Sequence, residues 1–357
     1  MADYSKALEI EQGLLVDGIL ASIPVGGIVL SGVANSGYIP MDGSYISLID
    51  YPSLSELSDI IPGDFIDVYN VTTTPLNAVS SSNDIYVVVG NTGTIFTSAD
   101  TKTWMQRTSG TTQNLYGVAY NQWGFFACGA TGLILKSTDG ITWSAITKVS
   151  NAELSGAYAN SQAVLLVGKS GEIAVSINGT SFTSYKQGNT QYHHATYDGT
   201  NWIISGHAIL TSPNLTTWTT RLTVNAYGIC FANNLIVIVG DAGLIYTSAN
   251  HGLNWTQRTS GVTVNLYGIA FIDGYFIASG DSGIILRSAN GIDWVNIQYG
   301  TSNWQLHSHA DDEEDEVIIT RQDGSVGILH APVTNYKYLP NMVSPIPSVA
   351  SYYMRGK

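Results

Sequence analysis

Charge is scarce in this sequence, and basic charge scarcest. The 357 residues include 14 Lys and Arg against 27 Asp and Glu, a net charge of −13, and charged residues of all kinds make up 11%. The basic residues are scattered, so the chain lacks the positive surface that nucleic acid or anionic lipid requires of a main partner. Cysteine is almost absent: Cys128 and Cys230 make neither a disulfide framework nor a CxxC metal spacing, and no cofactor is expected. No apolar run approaches the ~18 residues that mark a membrane-spanning helix. The start, MADYSKALEIEQ, lacks the basic and apolar regions of a secretory signal, so neither membrane insertion nor export by a leader is expected. Nucleophile elbows, phosphate-cradling glycine loops and HExxH spacings are missing too.

Glycine is plentiful, with 37 copies, and it recurs in a fixed phrase. The phrase is Gly-x-x-Gly-x-(Ile/Val)-x-x-Ser-x-(Asp/Asn), followed by an aromatic. It starts at Gly90, Gly129, Gly168, Gly240 and Gly280, in a shortened form at Gly206 and in a worn form at Arg321. Seven starts about 39 residues apart, each unit holding several short β-type runs, are the signature of propeller blades. In the second unit the runs are LYGVAY (115–120), GFFACG (124–129), LILKS (133–137) and a fourth opened by Trp143. They are too short and too interrupted by glycine for helices. The GxxG group reads as the turn between second and third strands, its glycines supplying backbone freedom, and Ser-x-Asp/Asn as the turn between third and fourth. The aromatic then lies on the outer strand and packs between blades. Cys128 and Cys230, in units two and five, are beyond disulfide reach and are expected as buried free thiols.

The expected fold is therefore all-β: a seven-bladed β-propeller over residues 65–340, a small β-rich attachment module over 1–64 and a C-terminal tail over 341–357. Counting back one period from Trp104 lands on Phe65, so FIDVY (65–69) is expected as the outer strand that closes blade seven. The rival for that place is NYKYL (335–339). Upstream, Leu8, Ile10, Leu14, Leu15, Ile19 and Leu20 form an apolar stretch in a module too small to bury much by itself. It is expected to dock on a partner or a symmetric oligomer.

Binding residues are expected on the face shared by the GxxG turns and the inter-blade loops. The residue after each first glycine forms a ring there: Asn91, Ala130, Lys169, His207, Asp241, Asp281 and, in the worn copy, Gln322. The divergent loops QGNTQYHH (187–194) and QYGTSNW (298–304) add Gln187, Tyr192, His193, His194, Tyr299 and Trp304, side chains suited to carbohydrate or protein recognition. Asn114, Asn225 and Asn265 read as turn-forming constants. Adjacent on a strand, His193 and His194 point to opposite faces and do not share a metal ion. His307 and His309 precede the acidic run 311–316, which reads as a solvated hairpin tip.

SANHGLNW (248–255), STDGITW (137–143) and SANGIDW (288–294) resemble the Asp-box repeat of sialidases, which implies propeller architecture. A sialidase also needs an arginine cluster, and the six arginines here, Arg107, Arg221, Arg258, Arg287, Arg321 and Arg355, show no such triad. Glycan hydrolysis is thus the alternative to binding, not the expectation. The GxxGxIxxSxDGxxW rhythm is also similar to the photosystem II assembly-factor propellers, whose partner-binding arginine patch this acidic chain lacks. The segment PVGGIVLSGVANSGYIPMDGSYISLIDYPSL (24–54) resembles the phage tail-collar domain through Pro24, Gly26, Gly37, Asp42, Gly43, Ser44, Asp50, Tyr51, Pro52 and Leu54. It departs from that pattern at Tyr38 and Met41 and lacks the later Asn-Leu-Pro-Asp-Leu stretch. The resemblance implies a virion protein of a bacteriophage tail or tail fibre, binding other tail subunits or a host surface glycan or protein.

Overall fold

The computed structural model describes residues 66–82, 84–297, 304–311, 316–330, 336–338 and 353–356, with the short N-terminal strands Leu8–Ile10, Gly13–Val16, Ile19–Ser22, Gly37–Pro40 and Tyr45–Ser47. The chain divides into two compact units, Ile66–His330 and Met1–Phe65 together with Ala331–Lys357.

In the larger unit the β-branched and aromatic runs form seven four-stranded antiparallel sheets. Blade one consists of Leu76–Ser81, Tyr86–Gly90, Ile95–Ser98 and Met105–Arg107 from axis to rim. Each inner strand lies beside those of the blades before and after it, and blade seven's lies beside blade one's, so the ring is closed. The seven-bladed all-β architecture is the one the repeat predicts. Blade seven takes Trp304–Asp311, Glu316–Arg321 and Ser325–His330 from its own repeat and its outer strand, Ile66–Asn70, from the start of the unit. The rival Tyr336–Tyr338 pairs instead with Tyr45–Ser47.

The core lies in the seams between blades. Between blades one and two, Val87, Val89 and Ile95 meet Leu115, Phe125 and Leu135, with Trp143 at the edge. Each such side chain, fully buried, is worth about 1.5–3 kcal/mol. The aromatic of the phrase is anchored by its own turn as well: the indole N–H of Trp104 donates to the Thr101 carbonyl at 2.8 Å and that of Trp143 to Gly140 at 2.9 Å. The Ser-x-Asp turn is pinned by its side chains. Asp139 accepts from Ser137 Oγ (2.9 Å), Ile141 N (2.9 Å) and Thr142 N (2.8 Å), and Asn178, Asn214, Asn250 and Asn290 hold the equivalent turns.

The two glycines of GxxG are required for different reasons, and only the second needs glycine's backbone freedom. The first, such as Gly129 at φ −169, is extended. A Cβ there would stand 2.1 Å from the Asn114 carbonyl oxygen, so it is close approach that excludes a side chain. The second, such as Gly132 at φ +72, is left-handed.

The smaller unit contains a three-stranded antiparallel sheet of Leu8–Ile10, Gly13–Val16 and Ile19–Ser22, and a pairing of Gly37–Pro40 with Tyr353–Gly356. Of the ten collar-like residues, Gly37 falls within a described strand; the others lie outside the described residues. No helix among the described residues is long and apolar enough to cross a membrane.

Candidate functional site

Six inner strands share an irregularity that builds the site. In blade one Leu76 pairs with Gly90 and Ala78 with Val89, leaving Asn77 as an extra residue without a partner in the ladder. The same one-residue bulge occurs at Tyr116, Ser155, His193, Tyr227 and Tyr267. A bulge re-aims the extra side chain. Here all six are brought to the wall of one axial cavity of about 230 Å³, at the end of the ring that carries the GxxG turns. In blades two, three, five and six the next residue along the strand is glycine, which lets neighbouring inner strands close in around the axis: a Cβ on Gly156 would stand 1.8 Å from the His193 carbonyl oxygen. Below His194, which lines both spaces, the axis opens into a second cavity of about 540 Å³ edged by Tyr120, Tyr158, Tyr197, Phe231 and Phe271.

Residues that follow the first glycines meet the bulged residues or the residue two before them. Asn91 Oδ1 accepts from Asn77 Nδ2 at 2.9 Å, Asp281 accepts from the Tyr267 hydroxyl at 3.2 Å, and Asp241 accepts from Asn225 Nδ2 at 2.6 Å. Lys169 pairs with Glu153 at 2.9 Å, and the rings of His207 and His193 meet edge to face at 5.9 Å. An aromatic run continues from His193 to Tyr227 and on to Tyr267, with 5.0 Å between ring centroids at each step.

Asn114 and Asn265 are more than turn constants, for they staple blades together. Asn114 Oδ1 accepts from Thr92 N of blade one's turn (2.9 Å), and Asn265 Oδ1 from Ala242 N of blade five's (3.0 Å). The corresponding acceptor beside blade four's shortened turn, Asn225 Oδ1, is buried and has no partner. Ser155 Oγ and His193 Nε2, both in the cavity wall, are likewise buried without a partner.

Burial, reinforced by His207 and His194, lowers the His193 pKa to about 4, and burial alone brings His194 to about 4. Burial, and then the Asp241 carboxylate, push Tyr227 up to about 12; Tyr267 is raised chiefly by burial. At neutral pH His193, His194, Tyr227 and Tyr267 of the wall are therefore neutral, and Glu153, paired with Lys169, also lines the cavity.

The remaining expected site residues are placed as follows. Tyr192 is 1% exposed and its hydroxyl donates to the Gln187 carbonyl at 2.7 Å, so it is a core residue and not a contact residue. Gln187 N donates to Gly171 O at 2.9 Å, tying the inter-blade loop to blade three's turn. His193 and His194 both reach the cavity, because the bulge overrides the alternation expected of adjacent strand residues. Trp304 heads blade seven's inner strand opposite Arg321, and Tyr299 lies outside the described residues. Arg107, Arg221 and Arg258 each bond a threonine of their own blade, at 2.8, 2.8 and 2.9 Å, and are not gathered. Among the described residues no group of His, Cys, Asp and Glu is arranged to hold a metal ion. Cys128 and Cys230 are free thiols, raised to about 12 by burial. Asn77, Tyr116, Ser155, Tyr227 and Tyr267 are not among the residues the sequence points to; for the tyrosines the available signal is the recurring Asn-x-Tyr-Gly at 114–117, 225–228 and 265–268.

Ring, seams and axial cavity define a seven-bladed β-propeller. The chain is similar to a structure described as YCF48 bound to D1 peptide (TM-score 0.63, 16% identity, covering 74% of this chain and 94% of that one). It is similar to YCF48 from Cyanidioschyzon merolae (TM-score 0.62, 18% identity, 74% and 98% covered) and to a streptogramin B lyase structure (TM-score 0.67, 12% identity, 75% and 97% covered). At these identities the likeness is one of fold. No protein-family profile and no curated protein matches this chain.

Proposed function

We propose that this protein is a binding propeller whose axial cavity, at the GxxG end of the ring, receives a group projecting from a protein partner. The observation that carries this is the pair of buried polar atoms without partners, Ser155 Oγ and His193 Nε2, in a wall built by repeated bulges. A buried polar atom left unpaired costs about 1–3 kcal/mol, and a ligand that supplies its partner recovers that. A similar propeller described with a bound peptide is in keeping with a protein ligand. The setting we propose is a bacteriophage tail or tail fibre. There the 1–64 module attaches the chain to tail subunits or to further copies of itself, and the propeller meets another tail protein or a host surface glycan or protein. The support for that setting is the collar-like pattern of 24–54. A cellular assembly factor is the second reading, favoured by the similarity to YCF48.

The test is binding of the full chain to peptide and glycan arrays beside a Ser155→Trp variant that fills the cavity. Signals lost in a variant that melts like the parent support the axial site; signals that survive the filled cavity overturn it. Immunogold labelling of purified phage particles tests the setting, and their lacking this chain overturns it.

A further inference from the structure

We infer that the axial cavity selects a cationic side chain, a lysine ammonium or an arginine guanidinium, presented by a peptide segment of the partner. This rests on the binding reading above and adds the chemistry of the ligand.

Size points to a single side chain. The cavity of about 230 Å³ falls below the ~300–1,000 Å³ of pockets that bury whole drug-sized ligands, yet exceeds the ~150 Å³ that admits a benzene. Charge points to a cation. Among the described residues Lys169 at the rim is engaged by Glu153, while Asp241 and Asp281 accept from Asn225 and Tyr267 and make no ion pair. Both histidines of the wall stay neutral above pH about 4, so neither repels a positive group.

The polar atoms are matched in kind. A lysine ammonium brings three donors and a guanidinium five, and neither brings an acceptor. Both unpartnered atoms of the cavity wall, Ser155 Oγ and His193 Nε2, can accept. The tyrosines complete the fit. Tyr267 donates its hydroxyl hydrogen to Asp281 while Asn265 Nδ2 donates to its oxygen at 3.3 Å, which holds the ring in place. The Tyr227 and Tyr267 rings then border a site where a cation gains about 0.5–2 kcal/mol from an aromatic face. The net charge of −13 draws such a partner in from a distance.

The probes are capped pentapeptides with glycine flanking a central arginine, lysine, glutamine or glutamate, and a chitooligosaccharide as a neutral sugar, titrated against the full chain by calorimetry. The arginine and lysine peptides are expected to bind about tenfold or more tighter than the glutamine peptide. That preference is expected to disappear in Asp241→Asn/Asp281→Asn and to weaken with added salt. If the glutamine peptide or the sugar binds as tightly as arginine, and Ser155→Trp blocks it, the axial site stands and the cation assignment falls. If arginine binding survives Ser155→Trp, both fall. No saturable binding of either cationic peptide at millimolar concentration also overturns the assignment. Should Ser155→Trp fail to fold, Ser155→Leu narrows the same cavity with less strain, and thermal melting identifies which variant to use.

Discussion

Closure of the ring by a strand from the start of the propeller unit can be tested by removing the strand without removing its tether. Replacing Ile66–Asn70 with Gly-Ser-Gly-Ser-Gly erases five register pairs between that strand and residues 325–329. An antiparallel ladder averages about one backbone hydrogen bond per pair, each worth about 1 kcal/mol net, so about 5 kcal/mol is lost. Tyr69 packs beside Leu76, Tyr86, Val88, Ile318 and Val326, and its partial burial adds about 1 kcal/mol. The total of about 6 kcal/mol is a large part of the ~5–15 kcal/mol that holds a domain folded. With a urea slope of about 3 kcal/mol/M, the midpoint followed by tryptophan fluorescence falls by about 2 M. The control is the same replacement in Val295–Asn296, blade six's outer strand, where two exposed residues make two register pairs. That change is expected to cost about 2 kcal/mol at most. Equal midpoint shifts for the two replacements would refute the closing role of Ile66–Asn70.

Three further outcomes follow from the local chemistry. Backbone N–H donors, Thr103 for Asp100 and Thr142 for Asp139, are the main cause holding both carboxyls at about 2, below their ordinary 3.8. Their stabilisation is complete above pH 3.8 and lost as pH falls toward 2, so Asp100→Asn/Asp139→Asn should flatten acid unfolding in that window; an unchanged slope in pH-dependent melting contradicts it. His193 and His194, lowered from 6.5 to about 4, are protonated first in the unfolded chain, so stability present above pH 6.5 is lost as pH falls toward 4. Imidazole NMR titrations should place both midpoints near 4, and a midpoint at 6 or above for either rules out its burial in the axial wall. Gly156→Ala drives a Cβ against the His193 carbonyl and should cost about 3 kcal/mol, whereas Gly110→Ala, at φ +73 with open space around it, costs about 1 kcal/mol. Paired melting curves check that order, and its reversal contradicts close packing of the inner strands.

The ring was legible because a period near 39 repeats its turn chemistry, and turn chemistry is local. Ser137, Asp139 and Trp143 announce their turn because they bond within it. The cavity was less legible because register is not local. Tyr192 stands in a divergent loop-like stretch, yet pairing with Gly206 puts it where Leu76 and Leu115 lie, in the core. One residue on, the bulge turns His193 toward the axis, against the alternation that would separate it from His194. Neither histidine carries a mark of this, since a bulge is a mismatch between two strands and not a property of either. The residues after the first glycines were legible as a ring because every turn offers the same position, whereas their contacts with Asn77, Asn225 and Tyr267 came only from the fold.

Blade four's shortened turn has a consequence for orientation. The blades share one backbone plan, so rotation by one blade brings like turns onto like turns and only the side chains tell the positions apart. Asn225 Oδ1, the buried acceptor without a partner beside that turn, occurs at one angular position among the described blades. It gives the circle a zero mark. A guest that uses that acceptor is held in one rotational setting, and whatever it is attached to leaves the propeller in one direction.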